Sequence, residues 1–313
     1  MMTGRTLKLL VAAALGAMIP AAATAVAEAE PIKVRLGYPT ALHGEIAKVL
    51  AKTDIAGKHG LDLEATFFQY GPPQIEGLVS KTLDVAFTSL VPTASYLAKR
   101  PGSVTVIAGL GSVAHGLVVP ADSPIKTLAD FKGKTIAVAF GTDAQVDVLA
   151  ALKEAGLGSD AVKLVNVPPN EQPAALAQKL ADGVVLRQPQ LHRFLQKGAR
   201  EIRRWPHHLW VIARTDYLAA NPGVRQRLVD ALQDAAVYVA RNPRQAAEWF
   251  AEDLRLPADL VEQIAGENPL FANAAKPEAL SVLVTPELKA FSVRRAQEIF
   301  DFGLARTRPE FGY

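Results

Sequence analysis

The sequence contains no cysteine. This absence excludes a disulfide framework, thiolate metal sites and a lipid anchor on a cysteine at the start of a mature chain. Charge of one sign is not in excess either, since 34 Lys and Arg against 31 Asp and Glu leave a net charge of +3. A nucleic-acid partner is therefore not expected. Residues 28–313 contain no apolar run of about 18 or more residues, so no transmembrane helix is expected there.

The first 27 residues have the three-part pattern of an export signal. Arg5 and Lys8 make a basic start, residues 9–19 are apolar, and small residues lead to Ala27. Because the apolar stretch is shorter than the roughly 20 residues of a membrane-spanning helix, we expect cleavage after Ala27 or after Ala25. The mature chain is then expected to be a soluble periplasmic protein.

From Pro31 to about Arg204, short apolar and β-branched runs alternate with helical stretches. The helix predicted between Asp143 and Gly156 has apolar residues at helical spacing, and Thr142 or Asp143 can cap its start. This alternation predicts an α/β fold with parallel sheets and helices on both faces. The predicted strands are residues 32–38, 61–68, 84–88, 104–108, 134–140, 162–167 and 184–186.

Beyond Arg214 the pattern changes to helices almost alone, with proline near several helix starts. Residues 225–241 and 287–304 are predicted to form amphipathic helices. We expect their apolar stripes to pack on a sheet rather than to bind a ligand. The stripes consist of Leu228, Leu232, Ala235 and Val239 in the first helix and Leu288, Phe291 and Phe300 in the second.

Several motifs imitate catalytic or cofactor sites but lack the required context. The glycine pattern at residues 109–114 follows a strand, yet residues 115–119 continue as another strand where a nucleotide site needs a helix. Gly133-Lys134-Thr135 lacks the earlier glycine of a phosphate-binding loop. The histidines show no metal-ligand spacing, and adjacent His207 and His208 are interpreted as a solvated or hinge-side feature. We therefore expect no cofactor, metal or catalytic residue, although a Ser, His and Asp triad stays open.

Four small polar turns follow predicted strands. Open parallel sheets bind ligands beyond the carboxyl ends of their strands, where helix N-termini direct unpaired N–H groups. Each turn also fits ordinary helix capping, but together they favour a polar, anionic ligand. The candidate ligand-binding residues are Tyr38, Thr40 and His43, then Thr88 and Ser89, then Gly141, Thr142, Asp143 and Gln145, and finally Arg187 and Gln188.

Residues 131–138 (FKGKTIAV), Gly141-Thr142 and residues 148–157 (VLAALKEAGL) occur in this order. Together they resemble the central segment of periplasmic substrate-binding proteins of the sulfonate, nitrate and taurine ABC transporter class. Residues 36–38 and 83–88 and the segment before Arg214 support the likeness, which covers nearly the whole mature chain.

The resemblance implies a two-lobed periplasmic-binding-protein fold, in which each lobe is a mostly parallel sheet flanked by helices. Lobe 1 would comprise residues 28–116 and 213–313, and lobe 2 residues 117–212, with two hinge crossings between them. A small ligand would bind in the inter-lobe cleft. The partners implied are a membrane permease with its cytoplasmic ATPase, and we expect a monomer that is not an enzyme.

One departure from the family concerns the ligand. Many relatives have Trp and an acid before the proline of the last turn, whereas this chain has Arg187-Gln188-Pro189. If Arg187 faces the cleft, its guanidinium can pair with a carboxylate, sulfonate or phosphonate; if it faces outwards, it is a solvated cation. The leading hypothesis is an importer component that binds a sulfonate or related oxyanion.

Two alternatives stay open. The first is a binding protein for a neutral or cationic heterocycle, such as a thiamine-type pyrimidine. The second is an enzyme of the same fold in pyrimidine-precursor synthesis, against which the export signal argues.

Overall fold

The computed structural model describes residues 30–158, 160–272, 275–276 and 279–313, and the predicted export signal lies outside them. Residues from Pro31 to Tyr313 form one structural unit. Its described part contains eight strands: β1 Ile32–Pro39, β2 Leu61–Phe68, β3 Val85–Thr88, β4 Val104–Val119, β5 Thr135–Val138, β6 Lys163–Asn166, β7 Gly183–Arg187 and β8 Arg200–Arg214.

The same residues contain twelve α-helices and two short 3-10 helices. The α-helices are α1 Gly44–Lys52, α2 Ile55–Lys58, α3 Gly71–Val79, α4 Leu90–Lys99, α5 Asp143–Glu154, α6 Gln172–Ala177, α7 Gln190–Gln196, α8 Thr215–Ala220, α9 Val224–Arg241, α10 Pro243–Leu254, α11 Ala258–Ala265 and α12 Pro286–Asp301. The 3-10 helices are Leu128–Phe131 and Pro269–Phe271. None of the helices in this described set is both long and apolar enough to cross a membrane.

The strands form a single sheet in the order β2-β1-β3-β8-β4-β7-β5-β6. The pairs β1–β2, β1–β3, β5–β6 and β5–β7 are parallel, whereas β8 is antiparallel to β3 and β4, and β4 is antiparallel to β7. The predicted α/β fold, a mostly parallel sheet flanked by helices, is confirmed. The two central antiparallel strands join its two parallel groups.

Strand β4 is longer than the sequence pattern predicts, because residues 104–108 and 115–119 belong to one strand of 16 residues. Its register against β8 shifts between Gly109 and Ser112, and Gly111 has a φ of 74°. A left-handed backbone of this kind favours glycine, so the glycine motif here serves a strand irregularity. The predicted lobe boundaries fall inside β4 and near the end of β8, and the division into lobes stays a prediction.

The two predicted amphipathic helices differ in outcome. The α9 stripe is buried as predicted, with Leu228, Leu232, Ala235 and Val239 at most 2% exposed. On α12, however, Phe300 is 44% exposed, so the prediction for this residue is wrong. The buried face of α12 contains Arg295 and Ile299 instead. Arg295 faces this way because it pairs with an acidic side chain of α5.

Candidate functional site

Two of the predicted polar turns meet at the starts of α4 and α5. Ser89 precedes α4 and Thr142 precedes α5, both in extended conformation, and within the described chain neither side chain caps its helix. The Thr142 hydroxyl instead donates to the carbonyl of Ala139 at 2.7 Å. The Asp143 carboxylate lies 3.4 Å from the backbone N–H of Val91, in the first turn of α4. The two helix N-termini therefore lie side by side.

Gly141 and Gln145 shape the turn before α5. Gly141 has a φ of 71°, and its N–H donates to Oε1 of the buried Gln145 at 2.8 Å. A residue with a side chain would be strained at this φ. Both residues therefore support the positions of Thr142 and Asp143.

Tyr38 and Thr40, from the first predicted turn, already have protein partners. The Tyr38 hydroxyl donates to the Asp253 carboxylate at 2.7 Å, and Lys48 donates to the other oxygen of that carboxylate. The Thr40 hydroxyl donates to the carbonyl of Gln69 at 2.9 Å. Burial, together with the Asp253 carboxylate, raises the pKa of Tyr38. Tyr38 is therefore held in place beside the turn by its contacts within the protein.

His43 is a polar residue of a different kind, because it is 2% exposed and has no such partner. Its ring stacks on Phe87 with a centroid separation of 5.8 Å, and neither ring nitrogen makes a hydrogen bond of normal geometry within the described residues. Burial, followed by the charge of Arg187, lowers the pKa of His43 to about 3. The neutral ring offers one donor and one acceptor. Thr88 follows Phe87 in the chain, and its buried hydroxyl likewise has no partner among the residues that the structure describes.

Arg187, at the end of β7, lines a cavity of about 640 Å³ and does not point into open solvent. Its side chain is half-buried, and its Nη2 atom is buried with no hydrogen-bond partner in the described chain. Burial lowers the pKa of Arg187 to about 10, against the opposing charge of Asp143. The guanidinium thus stays charged at neutral pH. The cavity is also lined by Thr40, Phe67, Gln69, Asn170, Gln172, Gln188 and Arg255, and by the acidic residues Glu252 and Asp253.

Gln188 follows Arg187 and is engaged at both ends of its amide. Its Nε2 donates to the Glu267 carboxylate at 3.2 Å, and its Oε1 accepts from the His192 N–H at 3.1 Å. The residue thereby links the end of β7 and the start of α7 to the segment after α11. Its side chain acts here as a tether between these segments.

His207 is a site residue that the sequence pattern misses. Its interpretation as solvated is wrong, because the side chain is 3% exposed. The hinge-side interpretation stays a prediction. Its Nδ1 lies 3.9 Å from the Asp143 carboxylate, and its ring centroid lies 5.4 Å from that of His115. Burial lowers the pKa of His207 well below its ordinary value, with a further contribution from the charge of His115. The pairing of β8 with β4 opposite Val113 fixes this position.

A second buried group lies one helical turn along α5 from Asp143. The Asp147 carboxylate lies 2.7 Å from Nε2 of His115 and accepts a hydrogen bond from Arg295. Burial alone would raise the pKa of Asp147, but the hydrogen bond from His115 and the charge of Arg295 outweigh it and lower the pKa. Burial raises the pKa of Asp143 itself, which makes no comparably close ion pair. The i, i+4 spacing puts both carboxylates on one face of α5.

Arg187 and Arg255 line the cavity, whereas His43, Thr88 and His207 do not. The charge of Arg187 nevertheless acts on both histidines, so the two rings lie near the guanidinium. Such a set suits the oxygens of a small oxyanion. Within the residues that the structure describes, no cluster of three or more His, Asp or Glu side chains could hold a metal ion.

The fold of the chain is that of the periplasmic binding proteins. The alkanesulfonate-binding protein SsuA of Xanthomonas axonopodis pv. citri, solved with bound MOPS, matches with a TM-score of 0.75 at 20% identity, over 90% of this chain and 96% of that chain. The family model described as NMT1/THI5 like matches residues 58–246, more than half of the chain. The chain therefore belongs to the NMT1/THI5-like family.

Two curated relatives are similar over most of their length. A protein of Brucella abortus (strain 2308), named only as a binding protein, is 29% identical over 241 residues, 74% of each chain. A protein of Escherichia coli (strain K12) named for binding aliphatic sulfonates is 25% identical over 254 residues, 78% of each chain. Both are named as binding proteins and not as enzymes.

Proposed function

We propose that this chain is the periplasmic solute-binding component of an ABC importer. It captures a small organic anion, a sulfonate or related oxyanion, and delivers it to a membrane permease driven by a cytoplasmic ATPase. The observation that carries the proposal is the buried Nη2 atom of Arg187, which has no hydrogen-bond partner within the described residues. Burying a charged donor without a partner is costly, and an oxyanion in the adjacent cavity supplies that partner.

The neighbouring neutral groups support the same ligand class. His43 and Thr88 are each 2% exposed. In both, the polar side-chain atoms lack a hydrogen-bond partner of normal geometry inside the described part of the chain, although backbone groups of Phe87, Ala41 and Thr88 lie near enough to the His43 ring to act on its pKa. A sulfonate presents three oxygens in a tetrahedral arrangement, so it can accept from Arg187, from the His43 ring and from Thr88 together. The sulfonate-binding names of the Escherichia coli relative and of the Xanthomonas structure agree with this chemistry.

Capture would occur by hinge closure between lobe 1, residues 28–116 with 213–313, and lobe 2, residues 117–212. His43 and Thr88 belong to the first lobe, whereas Arg187 belongs to the second. A ligand that touches both lobes has a higher affinity for the closed form and shifts the population towards it. The permease would then recognise the closed form.

The remaining predicted residues would act by position. Tyr38 and Thr40 form the wall of the first turn, Gly141 and Gln145 hold the start of α5, and Gln188 tethers the last turn. Ser89 and Thr142 place the N-termini of α4 and α5, whose N–H groups add a partial positive charge. Asp143 differs from all of these, because it brings a buried carboxyl group to the start of α4.

The proposal is tested by a thermal-shift screen of the purified protein against sulfonates, aromatic acids, phosphonates and pyrimidines. A ligand at about 100 times its Kd adds roughly 2.7 kcal/mol to the free energy of unfolding, so a sulfonate that binds should raise the Tm. If no anion raises the Tm while a neutral or cationic heterocycle does, the proposal is wrong. Turnover of any compound in the screen would overturn the carrier role in favour of an enzyme.

A further inference from the structure

The cavity that Arg187 lines is larger than a sulfonate group needs. Its volume of about 640 Å³ lies in the range that encloses a drug-sized ligand, so most of it is left for the body of the ligand. Residues that follow the two edge strands of the sheet line it, Gln69 after β2 and Asn170 after β6. The side chains of this remaining lining decide which ligand body fits.

The lining is mostly polar. Small-molecule pockets are typically lined by apolar and aromatic side chains with a few placed polar groups, whereas ten of the sixteen lining residues here are polar or charged. Five of these ten carry an amide: Gln69, Asn170, Gln172, Gln188 and Gln190. Each amide has both donor and acceptor atoms, so it can pair with either kind of polar group on a ligand.

The amides of Gln69 and Asn170 are available to a ligand. Both residues are exposed, and neither side chain has a hydrogen-bond partner among the described residues; only the backbone carbonyl of Gln69 is engaged, by the Thr40 hydroxyl. Gln172 and Gln188, by contrast, are buried, and Gln188 has protein partners at both ends of its amide. A ligand that fills the cavity therefore displaces water from Gln69 and Asn170.

The chemistry of the ligand body decides whether the displaced water is replaced. An alkyl body would leave the amides without partners, which is unfavourable, whereas a hydroxyl group donates and accepts and takes the place of the water. The Glu252 carboxylate on the same lining is 63% exposed and can only accept, and an alkyl sulfonate has no donor for it. The other acid, Asp253, is already engaged by Tyr38 and Lys48.

We propose that the site takes a sulfonate whose body carries several hydroxyl groups, with the sulfonate on Arg187 and hydroxyls on Gln69 and Asn170. This inference rests on the proposed function and deepens it, because it names the class of sulfonate. The apolar part of the lining, which includes Phe67 and Leu254, would pack against the C–H groups between the hydroxyls. An unsubstituted alkyl sulfonate would bind more weakly.

The test compares two matched pairs of sulfonates by titration calorimetry on the purified protein. The first pair is 6-deoxy-6-sulfoglucose and cyclohexylmethanesulfonate, which both join a six-membered ring to the sulfonate through one methylene group. The second pair is 2,3-dihydroxypropane-1-sulfonate and propane-1-sulfonate. In at least one pair the hydroxylated compound should bind at least about tenfold more tightly, because its partner cannot make the hydrogen bonds to the amides.

Two variants identify the residues responsible. Gln69→Leu and Asn170→Leu keep roughly the size of the side chain and remove the amide. Each should reduce the preference about two- to tenfold by weakening the hydroxylated compound and not its plain partner, because one hydrogen bond is lost. Gln263→Leu makes the same change at an exposed amide outside the cavity and should leave the preference unchanged.

Two results would overturn the inference while the proposed function stands: neither pair shows the expected preference, or both folded leucine variants keep the wild-type preference. Circular dichroism establishes folding; if one variant does not fold, the other and the wild type decide. If the wild type binds no sulfonate of any kind, the proposed function fails and this inference fails with it.

Discussion

Asp147 on α5 and Arg295 on α12 form an ion pair whose side chains are 5% and 8% exposed. The two residues are 148 positions apart in the chain, and His115 on β4 lies against the other carboxylate oxygen. The attraction within such a buried pair contributes little net stability, because taking two charges out of water is costly. Removal of one partner is nevertheless strongly destabilising, because it leaves a buried charge alone. The pair therefore fixes how α12 packs against α5.

Replacement of Asp147 by Asn should destabilise the protein strongly. The variant leaves the buried Arg295 with only the more exposed Glu298 carboxylate, 3.0 Å from its Nη1 atom. We therefore expect a loss of about 3 kcal/mol in the free energy of unfolding, at the lower end for breaking a buried pair. Urea denaturation measures this loss. The matched control is Glu154→Gln, whose carboxylate pairs with Arg203 at 3.2 Å at the surface and should cost under about 1 kcal/mol. Equal losses in the two variants would show that burial of the pair has no energetic importance.

Arg187→Ala should weaken sulfonate binding by about 1.5 to 3 kcal/mol, because it removes a charged hydrogen bond to the ligand. Titration calorimetry with the best sulfonate from the thermal-shift screen measures the change. Arg203→Ala removes an equally large cation from an exposed position and should leave the affinity unchanged. Wild-type affinity in Arg187→Ala would place this residue outside the ligand site.

The protein should lose stability in mild acid because of its buried neutral histidines. Burial lowers the pKa of His43 from 6.5 to about 3, so the folded state resists protonation where the unfolded chain accepts a proton. Because of this difference, the stability that the neutral His43 contributes is fully present above about pH 6.5, and it is lost as the pH falls from there towards about 3. His207 acts in the same direction.

Urea denaturation from about pH 7.5 to 4.5 tests the acid response. His43→Gln removes the titration, so we expect its loss of stability over this range to be roughly 1 to 2 kcal/mol smaller than that of the wild type. The quantity compared is the slope of the free energy of unfolding against pH, rather than its absolute value, since the substitution also changes packing. His59→Gln, at a partly exposed histidine, is the control and should keep the wild-type slope. Parallel slopes in all three proteins would contradict the prediction.

Glu45 on α1 should destabilise the protein in mild alkali. It is 1% exposed, and burial, followed by the charge of Glu262, raises its pKa from 4.5 to about 8. The folded state thus favours the protonated form of Glu45. The stability that this form contributes is fully present below about pH 4.5 and is lost as the pH rises through 8.

Glu45→Gln keeps the shape of the side chain without its charge. At about pH 8.5 we expect the variant to be roughly 1 to 3 kcal/mol more stable than the wild type, with little difference at about pH 4.5. Glu262→Gln removes only the neighbouring charge and should give a smaller gain. Thermal denaturation at both pH values measures the effect, and a Glu45→Gln variant that is less stable at the higher pH would refute it.

Local sequence patterns predict the outer strands of the sheet well. β1 and β2 lie within a residue of their predicted bounds, because in each strand apolar residues alternate with polar ones between two turns. The sequence does not predict β8, since residues 200–208 are rich in Arg and His and lack an apolar run. This strand forms because β3 and β4 supply backbone partners on both sides.

The site is predictable in part for a similar reason. Thr142 and Ser89 are placed correctly before their helices, since capping residues and turns are local signals. The His115, Asp147 and Arg295 group has no local signal, because its members come from three distant segments. Only the fold brings these side chains together, so no spacing rule could indicate them.

The central strands β4 and β8 pair with each other from Val104 and Arg214 at one end to Val119 and Arg200 at the other. Each strand also pairs with a neighbour from only one of the two parallel groups. If either parallel group unfolds, β4 or β8 therefore loses backbone hydrogen-bond partners. The other parallel group depends on the pairing of that same strand. Heat should accordingly denature the whole sheet in one cooperative step, with a single calorimetric peak.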